Sequence, residues 1–346
     1  MNFSRSNDLL ILKILPFVLA LAAILFHLVC IMSETPLAIG VDFGGTTVKI
    51  GVLYRSNLVD TAPPIATQDY DGPDELIDAM VRVINELRDQ HPGIAAIGVG
   101  MPGFVNFEEG IVHNLTNVRG WVEIPLKQRL TDATLLPTVV ENDANCMAYA
   151  EWKRGSGRGL NHLVAITMGT GVGGGVIVNG KMVRGCQYGA GEIGQTSIDY
   201  QGRVGAYGNK GALEDYVGNN EIAADARERY KQAGIHKNIA DCSPAALANA
   251  ATNGDEVALQ VWDDVARKLA TTIMNCCWLL NPEAIIIGGG VAKAGDLLFG
   301  PLETHLFSQL SGPFKNHLTL LPARFGSEAG MVGAATLALE EAGFAI

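Results

Sequence analysis

Beyond residue 36, apolar runs of strand length alternate with segments whose apolar positions recur at helical spacing. A strand from Ala38 enters Asp42-Phe-Gly-Gly-Thr-Thr, and a second strand of alternating apolar residues runs to Val52. Asp71-Gly-Pro73 opens a helix with Pro in its first turn, and Leu76, Ile77, Met80, Val81, Ile84 and Leu87 share one face. Strand Ala95–Val99 follows, then a loop at Gly103. Strand Thr138–Val140 leads into Glu141-Asn-Asp and a helix from Ala144 to about Lys153. A second strand pair spans Leu163–Val178, and Asn179-Gly180 closes another hairpin. Helices are predicted near Glu214–Tyr216, over Glu221–Ala233 and over about Asp255–Leu280. The last delivers strand Ala284–Ile287 into Gly288-Gly-Gly290, and a final helix covers Ala329–Glu341. Strand-helix alternation of this kind means an α/β fold with sheets covered by helices.

The two strand pairs carry the chemistry. In the first, the turn Gly44-Gly45-Thr46-Thr47 offers backbone N–H groups, hydroxyls and glycines able to adopt positive φ, all suited to surrounding a phosphate. Asp42 stands at the strand end, where a carboxylate can hold a metal ion. The second pair repeats the plan with Thr167, Gly169, Thr170 and Gly171. An ordinary Gly-rich hairpin accounts for either segment taken singly. Two copies about a domain apart point instead to a duplicated core with a nucleotide between its halves. No G-x-x-x-x-G-K-[ST] loop occurs, and each glycine turn leads into a strand rather than a helix, unlike a dinucleotide fingerprint.

With these residues in view, the chain resembles the sugar kinases of the ROK family (repressor, ORF, kinase), within the actin-like ATPase superfamily. The resemblance runs from Pro36 to the C-terminus. After the first hairpin come Gly100-Met-Pro-Gly103, Asn117-Val-Arg-Gly-Trp121 and Glu141-Asn-Asp-Ala-Asn145. The second hairpin, Gly189-Ala-Gly-Glu-Ile-Gly194 and Pro282-Glu-Ala-Ile-Ile-Ile-Gly-Gly-Gly290 complete the order. It implies a two-domain actin-like (ribonuclease H-like) ATPase fold with an interdomain cleft. Residues 36–147 would form the first domain, rejoined by the C-terminal helix 329–346, and residues 148–328 the second, larger one.

The resemblance also assigns roles. Asp143 matches the general base of phosphoryl transfer, although an Asp at that place is also a good helix cap. Asn142, Glu192 and Glu214 match residues that bind sugar hydroxyls, and Asn106 and Asn117 are further candidates that would serve equally as turn residues. Gly288, Gly289 and Gly290 match the adenosine side, and Mg2+ carried by ATP belongs near Asp42. The implied reaction is ATP-dependent phosphorylation of a hexose, glucose to glucose 6-phosphate first. The alternatives are N-acetylmannosamine, fructose or allose as acceptor, polyphosphate as donor, or a sugar-sensing regulator without catalysis. Family members usually form homodimers.

One departure stands out. Relatives place a His three residues after the first Glu, followed by a Cys-x-Cys-Gly-x-x-Gly-Cys run, and hold a structural zinc with them. Here the His position is Gln195, and Gly205, Tyr207 and Ala212 stand where the thiolates would be. Without soft ligands this loop has no zinc site. Its glycine spacing survives, so hydrogen bonding and packing are expected to hold its path, with Gln195 a substitute partner for the sugar.

A formal charge of -11 argues against nucleic acid as a partner. The first 35 residues are too short and too apolar for the DNA-binding module of the family's repressors. Ile14–Met32 is long enough to span a bilayer once. Arg5 and Lys13 before it, with only Glu34 after it, would however place the kinase outside the cytoplasm, away from ATP. A natural start at Met32 and a cytoplasmic enzyme are therefore preferred over a membrane segment. The six cysteines have no framework spacing and read as reduced, buried small side chains.

Overall fold

The structure, a computed structural model, describes residues 36–346, and the apolar N-terminal segment lies outside the described residues. Among the described residues no helix is long and apolar enough to cross a membrane.

Two sheets are built to one plan. In the first, β1 (Leu37–Phe43), β2 (Thr47–Tyr54) and β3 (Asn57–Thr61) form an antiparallel meander, with the short β4 (Ile65–Ala66) beside β2. β5 (Ile94–Met101) then adds to β1 in parallel. A small antiparallel sheet of β6 (Val105–Asn106), β7 (Ile111–Asn114) and β8 (Val122–Pro125) interrupts before β9 (Thr138–Asn142) completes the first sheet beside β5. The second sheet repeats the order with β10 (Leu163–Met168), β11 (Val172–Val178) and β12 (Lys181–Met182) as meander, and β13 (Ala284–Gly288) and β14 (Thr319–Pro322) in parallel. The duplication inferred from two similar turns therefore extends to whole sheets. Asn179 and Gly180, at φ 52° and 63°, give the β11–β12 hairpin the left-handed pair that Asn-Gly favours.

Two helices lie between the sheets. Asp143–Lys153 and Ala329–Glu341 pack on each other and share a core with residues of both sheets, among them Ala38, Ala96, Ala165 and Ile286. The C-terminal helix is buried along nearly its whole length, from Ala329 to Leu339. It approaches the first sheet so closely that a Cβ at Gly40 or Gly98 would collide with the carbonyls of Met331 and Ala334. Glycine is the one residue that leaves room there. A boundary between residues 147 and 148 falls inside the continuous Asp143–Lys153 helix.

The predicted helices at Pro73, Glu214, Glu256 and Ala329 form, the first running Pro73–Gln90 and the long one Glu256–Leu280 with Asp255 capping it. Sequence reasoning missed Leu126–Thr134, Pro244–Thr252, Asp296–Ser308 and the small sheet. These are short or lack a clear apolar stripe, and packing rather than periodicity selects them.

Candidate active site

A cleft of about 770 Å³ runs between the sheets. Its floor is the junction of β9 with the Asp143–Lys153 helix. Asn142 caps that helix: its Oδ1 accepts the backbone N–H groups of Ala144 and Asn145, at 2.9 and 3.1 Å. Asp143 is thus the first helical residue and not the cap, which overturns the capping alternative. Its carboxylate accepts the Ala144 N–H and faces the cleft. Burial raises its pKa from the usual 3.8 to about 6, and the negative charges of Asp42 and Glu192 push the same way.

The walls come from distant segments. Glu192 lies in the turn Gly191–Gly194, and its pKa is raised by burial and then by Glu214. Glu214 opens the short helix Glu214–Val217 and accepts the Val172 N–H at 2.8 Å and the Gln195 amide at 3.2 Å. This arrangement requires β11 to be thin. A Cβ at Gly173 or Gly175 would strike Ala144 and Ala148 of the Asp143–Lys153 helix, and one at Gly174 would lie 2.7 Å from the Gly191 carbonyl. Bare backbone on both faces lets the helix bearing Asp143 and the turn bearing Glu192 close on one strand.

The glycine turns project toward this cleft from either side. Gly45 lines it from the first turn, held by a 2.7 Å hydrogen bond from the Asn117 amide to the Gly45 carbonyl. Thr167, Gly169, Thr170 and Gly171 line it from the second. Contrary to expectation, Gly44, Gly45, Gly169 and Gly171 are not among the glycines with positive φ. Their use is the missing side chain: a Cβ at Gly45 or Gly169 would meet nothing within 4 Å, so the backbone faces open space. Gly290 is open in the same way, whereas Gly289 adopts φ +85° and packs on the Met168 backbone. Asp42 pairs with Lys49 across β1 and β2 at 3.2 Å, a partner that the hairpin register alone would have revealed.

A model of the ROK family matches residues 38–341. The chain belongs to the ROK family. It is 33% identical to the glucokinase of Halalkalibacterium halodurans over 88% of this chain and 95% of that protein. It is also 31% identical to an N-acetylmannosamine kinase of Escherichia coli, over 88% of this chain and 98% of that one. Among solved structures, a ROK glucokinase from Streptomyces griseus with glucose and AMPPNP superposes at a TM-score of 0.74, with 30% identity over 88% of this chain and 99% of that one. The fold is the actin-like ATPase fold of ROK sugar kinases, and the protein is a sugar kinase.

Within this ROK fold the cleft gathers Asn117, Asn142, Asp143, Glu192, Gln195 and Glu214 with the second glycine turn and Gly45. Asn106 is not brought there: in the small sheet it exchanges hydrogen bonds with Glu109, at 3.0 and 3.1 Å, as a turn residue. Asp42, Gly44, Thr46, Thr47 and Gly288–Gly290 are not among its lining either, and stand at the ends of β1, β2 and β13. The loop that lacks thiolates keeps its path through Asn209. Its amide reaches the Gln195 carbonyl at 3.0 Å, its own carbonyl accepts the Gly205 N–H, and Arg203 ties the loop to the Asp215 carbonyl and Asp225. Phe104, His113, Tyr188 and Tyr207 also line the cleft and were not foreseen. Tyr207, at 73% exposure, stands where the family resemblance would put a thiolate, and that departure was its signal in the sequence.

Proposed function

We propose that this protein transfers the terminal phosphoryl group of ATP to a hydroxyl of glucose, with Asp143 as general base. The observation that carries this reading is Asp143 itself: a carboxylate at a helix start, freed from capping by Asn142 and placed between two glycine turns and two further carboxylates. A pKa of about 6 leaves it ionised at neutral pH yet basic enough to take a hydroxyl proton. Glucose recognition falls to Glu192 and Glu214 as acceptors, Asn142 through the amide hydrogen not given to the Gly103 carbonyl, and Asn117 and Gln195.

Open backbone at Gly45, Gly169 and Gly290 supports placing ATP along Gly44–Thr47, Thr167, Gly169–Gly171 and Gly288–Gly290. Asp42 raises the pKa of Asp143, so two carboxylates share a region that a divalent cation would relieve. Asp42 is therefore the residue proposed to hold Mg2+ with the ATP phosphates, where the ion would neutralise charge on the transferred group. We place the protein as a homodimer, following the family.

A coupled assay of ADP release over a sugar panel tests the reading. The expected result is Mg2+-dependent turnover with kcat/KM highest for glucose and ATP. Highest turnover with N-acetylmannosamine, fructose or allose, or with polyphosphate, would reassign substrate or donor. Sugar binding without ADP release for any of them would favour a regulator.

A further inference from the structure

We propose that Arg184 is a positioning residue for phosphoryl transfer, tying the base side of the cleft to the wall that carries Glu192; this rests on the kinase reading above. Arg184 follows the edge strand β12 of the second sheet, yet its side chain reaches Glu141 and Phe107 of the other half. Its Nε donates to Glu141 Oε2 at 2.7 Å, and its guanidinium lies 3.6 Å from the centre of the Phe107 ring. Glu141 is 2% exposed, at the end of β9, and its other oxygen accepts the Asn142 N–H at 2.8 Å and the Asn145 amide at 3.1 Å. A single buried carboxylate thus joins Arg184 to Asn142, just before Asp143, and to Asn145, two residues after it.

The backbone of Arg184 works in the opposite direction. Its carbonyl accepts the Ala190 N–H at 3.0 Å, closing the loop 184–190 just ahead of Glu192. Side chain and main chain of one residue therefore fix the base and the sugar-binding carboxylate relative to each other. Neither Arg184 nor Glu141 is among the described residues that line the cleft, so Arg184 acts through Asn142, Asn145 and the Glu192 turn. A planar guanidinium can stack and donate at once, which an ammonium cannot. Displacement by about 1 Å in such a site costs on the order of 100-fold in rate.

The test uses the full-length enzyme and whichever sugar of the panel turns over, so failure of the glucose assignment is seen first in the wild type and kept separate. Arg184→Gln is expected to lower kcat about 100-fold. Sugar KM should rise, and ATP KM should stay within about twofold if the nucleotide turns are untouched. Arg184→Lys, which keeps the charge, should recover part of kcat. Because breaking a buried pair strands Glu141, the neutral pair Glu141→Gln with Arg184→Gln is measured beside it. The proposal holds if that pair folds with wild-type stability and remains slow. Full recovery of kcat and sugar KM in the pair, or near-normal kinetics in folded Arg184→Gln, would overturn it and leave Arg184 as a neutralising charge alone. If no sugar turns over, calorimetric sugar binding replaces kinetics: weaker binding in both Gln variants supports the proposal, and unchanged binding overturns it.

Discussion

The two glycine hairpins share a plan and differ in what they bring. The β1–β2 hairpin carries its own charges, Asp42 and Lys49, paired across neighbouring strands, and its second strand bears the full-sized buried side chains Val48, Ile50 and Val52. The β10–β11 hairpin carries no charged residue between Leu163 and Val178, and the middle of its second strand is Gly173-Gly174-Gly175. Its charges arrive from elsewhere, from Glu192 and Glu214 across the sheet and from Asp143 on the helix packed on it. One hairpin is a self-contained device, whereas the other is a thin platform on which distant segments meet. The chemistry of a duplicated fold can thus be divided unequally between copies that share one topology.

The largest effect is expected at the platform's guest. Asp143→Asn should lower kcat by about 10³-fold or more while sugar binding persists, because general-base catalysis is lost and the amide still accepts the Ala144 N–H. Wild-type activity should fall as pH drops through about 6, as the carboxylate takes up a proton. The same variant should be the more stable protein above that pH. A folded pKa raised from 3.8 to about 6 favours the protonated form, so ionisation costs the native state about 3 kcal/mol once pH exceeds 6. Below about pH 4 both forms are neutral and the melting temperatures should converge. Equal stability at pH 7.5, or turnover near that of the wild type, would remove Asp143 from this role.

Glycine substitutions then separate the hairpins. Gly175→Val should cost about 1–3 kcal/mol by forcing a side chain against Ala148, and should lower the melting temperature by several degrees. At Gly45 an added Cβ meets nothing within 4 Å, so Gly45→Val projects its side chain into open space. It should leave stability within about 0.5 kcal/mol and raise the KM for ATP about tenfold by filling the space that a phosphate needs. The reverse pattern, a destabilised Gly45→Val and a silent Gly175→Val, would break the comparison between device and platform. The smallest effect belongs to Asn117→Ala. Loss of its 2.7 Å bond to the Gly45 carbonyl should cost about 1 kcal/mol, read as a rise of about fivefold in the KM for ATP. A rise in sugar KM beside it is expected from the proposed contact of Asn117 with glucose, and an unchanged KM for ATP would show that its bond to Gly45 does not shape the nucleotide turn.

Local patterns carried far in this chain. Alternating apolar residues around Gly-Gly-Thr-Thr and Gly-Thr-Gly encode two hairpins, because strand period and turn chemistry act over a few residues. The order of motifs identified the family, and Asp42, Asp143, Glu192 and Glu214 were legible as candidates from their motifs. What pairwise neighbours along the chain decide can be read from the chain, and the Asp42–Lys49 pair belongs to that class. Only tertiary structure decided that Asn142 rather than Asp143 caps the helix. It also placed Asn106 on Glu109, outside the cleft, and brought Arg184 from one sheet to Glu141 of the other. Gly173 to Gly175 had no role assigned from the sequence. Their purpose appears only once a helix and a loop, separate in sequence, compete for the same strand. Close packing and burial are set by partners far along the chain, and they determine which carboxylates share a low-dielectric cleft and hence which one is basic enough to act.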